Sequence, residues 1–87
     1  MDEFDAYAAK IADGGKNKTL NLNNDQKGQI YGLFKQAKMG DNSASKPGMM
    51  SGFEARGKWD SWEANKGKSN DEAAAEYVEL AKGFLGE

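Results

Sequence analysis

With 87 residues, 9.5 kDa, 38% hydrophobic and 30% charged side chains, the chain has room for a single domain around one small core. It has no cysteine and no histidine, which excludes disulfide staples, thiol nucleophiles, the usual zinc, haem and iron–sulfur ligand sets and any Ser-His-Asp triad. A net charge of −2, with pI near 5.1, argues against a nucleic-acid partner, which selects for basic surfaces.

In chain order, Phe4, Tyr7, Ala8 and Ile11 recur at helical spacing and predict a first helix, with Gly14-Gly15 expected to end it. Residues 16–23 are polar apart from Leu20 and Leu22 and read as a loop. Asn17-Lys18-Thr19 matches a glycosylation sequon but follows no secretion signal. A second helix is expected from a cap at Asn23 or Asn24 through Ile30, Leu33, Phe34 and Ala37 to Met39, stopped by Gly40. It carries Gly28 and Gly32, each about 1 kcal/mol worse than alanine in a helix, so it needs tertiary packing or a partner close to its backbone.

Residues 41–52 are turn-rich and irregular, and the glycine at their twelfth position excludes a calcium loop. A third helix is predicted over 53–65, with Trp59 and Trp62 on one face as core residues and Lys66-Gly67-Lys68 closing it. Ser69 and Glu72 form a capping box that opens a fourth helix with Ala74, Tyr77, Val78, Ala81 and Leu85 inward. No strand alternation occurs. The expected fold is all-α, a four-helix bundle with a long loop between helices 2 and 3 and one domain spanning residues 1–87.

No carboxylate pair stands out for catalysis. Tyr31 and Lys35, one turn apart, share a helical face beside Phe34, while Lys58 points away from the tryptophan stripe. A phenol, a flat ring and ammonium groups suit a ligand with an aromatic base and phosphates. The same residues can also be a core tyrosine with solvated lysines, and periodicity does not decide between the two.

The run Tyr31-Gly-Leu-Phe34-Lys35-Gln36-Ala37-Lys38-Met39-Gly40-Asp41 resembles the Tyr-x-x-Tyr-Lys-Gln-Ala-Thr-x-Gly-Asp signature of the acyl-CoA-binding protein family. Pro47-Gly48-Met49, Lys58-Trp59-Asp60-Ser61-Trp62, Lys66-Gly67, Ser69 and Tyr77 follow in that family's order, so the resemblance spans essentially the whole chain. It implies a bundle that binds medium- and long-chain fatty acyl-CoA esters non-covalently, as buffer and carrier. Tyr31, Lys35 and Lys58 would hold the 3′-phosphate region, and Phe34 and Tyr77 would contact the adenine and its ribose. The acyl chain would lie in an apolar groove between helices.

This chain departs from the pattern at several places. Phe34 replaces the second signature tyrosine, and Lys38 replaces its threonine. Ala12 stands where helix 1 often contributes a head-group lysine, with Lys16 or Lys18 as substitutes. Lys27 and Gly28 occupy positions that are typically apolar, and Glu54 falls where lysine is common.

The expected protein is thus not an enzyme. It has long-chain acyl-CoA as its ligand, no metal or other cofactor, no nucleic acid and no stable membrane insertion, because the longest apolar run is four residues. It is expected to be a cytoplasmic monomer in transient contact with acyl-CoA-using enzymes. The alternative from another class is a helical protein-interaction module that uses the same fold without acyl-CoA.

Overall fold

The computed structural model describes residues 3–87, and all of its regular elements are helices: α1 Glu3–Lys16, α2 Asn24–Met39, α3 Gly52–Glu63 and α4 Asn70–Leu85, with a single 3-10 turn, Met49–Ser51, leading into α3. Helix α2 packs on both α3 and α4, and α1 packs on α4. The core sits among α1, α2 and α4, where Phe4, Tyr7, Ile30, Leu33, Tyr77 and Val78 bury against one another. Ala73 and Ala81 have no exposed surface. Their small side chains let the backbone of α4 approach its neighbours while the aromatics fill the remaining space.

The caps follow from local chemistry. The Asn23 side chain accepts from the Gln26 amide at 2.8 Å while the Gln26 side chain accepts from the Asn23 amide at 2.9 Å. Ser69 and Glu72 make the same reciprocal pair at the start of α4. Each pair satisfies two backbone donors that a bare helix end leaves open. Ser69→Ala is expected to lower stability by about 0.5–2 kcal/mol, read as a shift in the denaturant midpoint.

Two expectations need correction. Gly14-Gly15 does not end α1, which continues to Lys16; the left-handed residue is Lys18, at φ 59°. The reversal is made by the Thr19 and Leu20 amides, both returning to the Gly14 carbonyl at 3.0 Å. Gly14 is required for a different reason: a Cβ there would lie 2.8 Å from the Leu20 Cβ. On α4 the expected stripe holds, with Tyr77, Val78 and Ala81 buried and Ala74 and Leu85 packed against them, and the fully buried Ala73 joins it.

Trp59 and Trp62 are half-buried and stand outside the core cluster. Their indole N–H groups donate to the Ala44 carbonyl at 2.7 Å and the Gly40 carbonyl at 2.8 Å. The two tryptophans therefore fasten the long loop to α3. Indole suits this, because it covers apolar surface while its one polar atom satisfies a loop carbonyl.

Gln36, with no exposed surface, holds the other side of that loop. Its amide donates to Asp41 Oδ1 at 2.9 Å and to the Lys68 carbonyl at 2.8 Å, and the same Asp41 oxygen accepts from the Gly67 amide at 2.8 Å. The end of α2 is thereby locked to the α3–α4 turn. Asn70 adds a bond to the Ala37 carbonyl at 2.8 Å.

Candidate functional site

Gly28 and Gly32 lie one turn apart on the face of α2 that meets α3. A Cβ at Gly32 would strike the Ser61 carbonyl and the Asn65 amide, and one at Gly28 would come within 2.8 Å of the Ser61 hydroxyl. The two glycines let α2 close onto the Ser61 backbone at Gly32 and onto the Ser61 side chain at Gly28, which is the tertiary role their cost in α2 requires. This seam brings Tyr31 of α2 and Lys58 of α3 together: the Lys58 ammonium lies 5.6 Å from the Tyr31 ring centroid.

One turn further along α2, the Lys35 ammonium lies 4.8 Å from the Trp62 ring centroid and 3.2 Å from the Met39 sulfur. Both lysines thus rest on aromatic faces that hold them without neutralising them. Lys58 also pairs with Glu54, one turn before it on α3, at 3.6 Å.

Phe34, beside Tyr31 and Lys35, turns its ring toward α1 and α4. Its ring stacks on Phe4 at 5.7 Å and lies 6.2 Å from Tyr77, while Phe4 meets Tyr77 edge-on at 5.0 Å. Tyr77 is only 2% exposed, so its ring supports Phe34 from within the core and presents no open face. Burial raises its phenol above the ordinary 10.0, keeping it protonated through neutral pH.

The five residues singled out in the sequence thus fall into two groups joined by α2. Tyr31, Lys35 and Lys58 form a cationic–aromatic face with Trp62, and Phe34 and Tyr77 form a three-ring cluster with Phe4. Trp62 and Phe4 went unnoticed as site members. Their helical spacing marks them as ordinary apolar positions, and only contacts across helices distinguish them.

Beside this face runs an open groove of about 1650 Å³ bordered by α2, α3 and α4. Tyr31 and Lys58 line it together with Gly28, Leu33, Phe53 and Leu80. Lys27 lines it as well, so its wall is polar near the start of α2. Phe53 is 92% exposed, an apolar ring held in solvent beside the groove.

Lys38, where the signature has threonine, lies away from this face: it reaches Asp5 at 3.3 Å and the Phe4 ring at 5.4 Å, tying α2 to α1. Among the described residues no cluster of three potential metal ligands occurs, and no helix is long and apolar enough to cross a membrane.

Three carboxylates make the scaffold acid-sensitive. Asp41 is held below its ordinary 3.8 by the Gly67 amide and the Gln36 side chain. Glu72 is held below 4.5 by the Ser69 amide and hydroxyl, and Glu87 below 4.5 by the Tyr7 hydroxyl, which donates to it at 2.6 Å. Each folded value lies under the unfolded one, so the stabilisation is complete above pH 4.5 and declines as pH falls through the folded values. Acid titration of the folded fraction is therefore expected to begin below about pH 4.5, with Asp41→Asn flattening the decline. A stability profile level down to pH 2 would contradict this.

Fold and site together define a small helical ligand-binding bundle with two aromatic-backed lysines at the side of a long open groove. The family model for acyl CoA binding protein matches residues 1–81. An acyl-CoA-binding protein from Ricinus communis is 41% identical over 88 residues, covering 99% of this chain and 90% of its own length. A homolog from Drosophila melanogaster is 37% identical over 84 residues, with coverages of 97% and 92%.

Among solved structures, Oryza sativa acyl-CoA-binding protein 2 superposes with TM-score 0.83 at 38% identity, over 97% of this chain and 88% of that one. The protein from Moniliophthora perniciosa superposes with TM-score 0.88 at 32% identity, over 97% and 78%. The chain belongs to the acyl-CoA-binding protein family.

Proposed function

We propose that the protein binds medium- and long-chain fatty acyl-CoA esters non-covalently, residues 1–87 acting as one acyl-CoA-binding domain. The observation that carries this reading is that Tyr31 and Lys58 line the same groove that offers Leu33, Phe53 and Leu80 to an acyl chain. The head group is anionic and aromatic and the tail is apolar. A single site with ammonium groups on rings at one part and apolar side chains along another matches both halves of such a ligand.

In this mechanism Lys58 and Lys35 donate to phosphate oxygens, Tyr31 adds its phenol, Phe34 offers a ring to the base, and Tyr77 backs that ring. Binding rather than chemistry is the function, and in this reading the protein is a cytoplasmic monomer that buffers and carries its ligand, with transient contact with acyl-CoA-using enzymes at delivery.

Calorimetric titration with palmitoyl-CoA tests the reading directly. Lys58→Ala and Lys35→Ala should each weaken binding by roughly 1–3 kcal/mol, the range for hydrogen bonds to charged groups. Tryptophan fluorescence should change on saturation, because the Trp62 ring carries Lys35 at 4.8 Å. Unchanged affinity in both variants would remove the lysine assignment. No saturable signal at all, and no acyl-CoA retained in native mass spectrometry, would turn the reading toward a protein-interaction module.

A further inference from the structure

We infer that Glu54 limits affinity at the phosphate-binding lysine, competing with the ligand's phosphate for Lys58. The inference rests on the acyl-CoA reading and adds to it a residue that opposes binding. Glu54 and Lys58 stand one turn apart on α3, with carboxylate and ammonium 3.6 Å apart. Both border the groove, together with Tyr31, whose ring lies beneath that ammonium at 5.6 Å.

The side chain of Glu54 is 87% exposed and that of Lys58 54% exposed, so the pair is held weakly and a phosphate can displace the carboxylate without unfolding anything. Displacement does not remove the charge. Glu54 stays on the same helical face, one turn from Lys58, and its negative charge repels an anion held by that lysine.

Two consequences follow. Head-group contacts alone hold a ligand less firmly than the lysines would without Glu54, so retention depends more on the acyl chain. Free CoA, which has the same phosphates and no tail, then dissociates readily after the acyl group has been transferred elsewhere.

Glu54→Gln keeps the side-chain length and the helix while removing the charge. At low ionic strength it should tighten palmitoyl-CoA binding by about 3- to 10-fold, with the gain shrinking as salt screens the repulsion. The gain should be smaller for 3′-dephospho-palmitoyl-CoA, which lacks the phosphate assigned to this lysine, and smaller between Lys58→Ala and Glu54→Gln/Lys58→Ala, where no lysine is left to compete for.

Glu63→Gln serves as the control. Glu63 pairs with Lys66 at 3.8 Å, and its removal changes the net charge equally. Equal gains in Glu63→Gln and Glu54→Gln, or equal gains on the two ligands, would overturn the inference by reducing it to net charge. Equal or weaker affinity in Glu54→Gln would overturn it outright. Wild-type protein that binds palmitoyl-CoA while Glu54→Gln matches it refutes only this inference, whereas wild-type protein that fails to bind refutes the functional reading beneath it.

Discussion

Gly32→Ala should destabilise the protein by about 1–3 kcal/mol, although alanine is the better helix former at an interior position. The added methyl would be driven into the Ser61 carbonyl, a backbone atom that cannot turn aside, and into the Asn65 amide. The intrinsic gain of about 1 kcal/mol is then exceeded by overpacking.

Two companion substitutions make this test specific. At Gly57, inside α3, a methyl would meet nothing within 4 Å, so Gly57→Ala should stabilise by about 0.5–1 kcal/mol. At Gly28 the obstacle is the Ser61 hydroxyl, a side-chain end that can rotate, although turning costs its 2.8 Å bond to the Gly57 carbonyl. Gly28→Ala should fall between the other two. Urea unfolding of the three variants should order them as Gly57, Gly28, Gly32 from most to least stable; a Gly32 variant as stable as the parent would refute the close-approach argument. Forcing α2 and α3 apart would also separate Tyr31 from Lys58, so palmitoyl-CoA affinity should fall in Gly32→Ala even at temperatures where it remains folded.

The comparison of these glycines shows what the sequence can and cannot disclose. Gly28 and Gly32 announce a constraint, because two glycines in one amphipathic helix cost stability, but the partner is Ser61, about thirty residues further along the chain. The Ser69 cap is legible in the sequence, and the α2 cap is narrowed to Asn23 or Asn24, because each involves residues within three positions of one another. Gly14-Gly15 does not mark the end of α1 because glycine permits a left-handed turn without compelling one, and here the helix runs on to Lys16 with Lys18 left-handed.

The site divides along the same line. Tyr31, Phe34 and Lys35 share neighbouring positions on one helix, so their proximity follows from helical geometry. That Lys58 sits over Tyr31, that Lys35 uses Trp62 as its platform and that Lys38 belongs to Asp5 are facts about helix pairing, which local periodicity does not encode. The tryptophans illustrate this most clearly. A three-residue spacing identifies a shared face, but whether that face meets a core or a loop carbonyl depends on where residues 40–48 run.

Tyr77 carries the other large effect, because it belongs both to the core and to the proposed site. Tyr77→Ala should cost about 3–5 kcal/mol, the range for removing a large buried aromatic, since the ring packs at 5.0 Å from Phe4 and 6.2 Å from Phe34 and is 2% exposed. Such a loss is a large part of the total stability of a small domain, so weakened ligand binding in that variant would say little about contact.

Tyr77→Phe separates the two roles. It preserves the ring and its edge-on contact with Phe4, and no hydrogen bond to the Tyr77 hydroxyl is present among the described residues, so stability should change by less than about 1 kcal/mol. A ligand that accepts from the protonated phenol would lose one hydrogen bond, an expected weakening of about 0.5–1.5 kcal/mol in palmitoyl-CoA affinity at unchanged stability. Equal affinity in Tyr77→Phe and the parent would assign Tyr77 to supporting Phe34 alone, whereas an unaltered unfolding midpoint in Tyr77→Ala would contradict its place in the core. Because the phenol stays protonated through neutral pH, the difference between Tyr77→Phe and the parent should be constant from pH 6 to about 9.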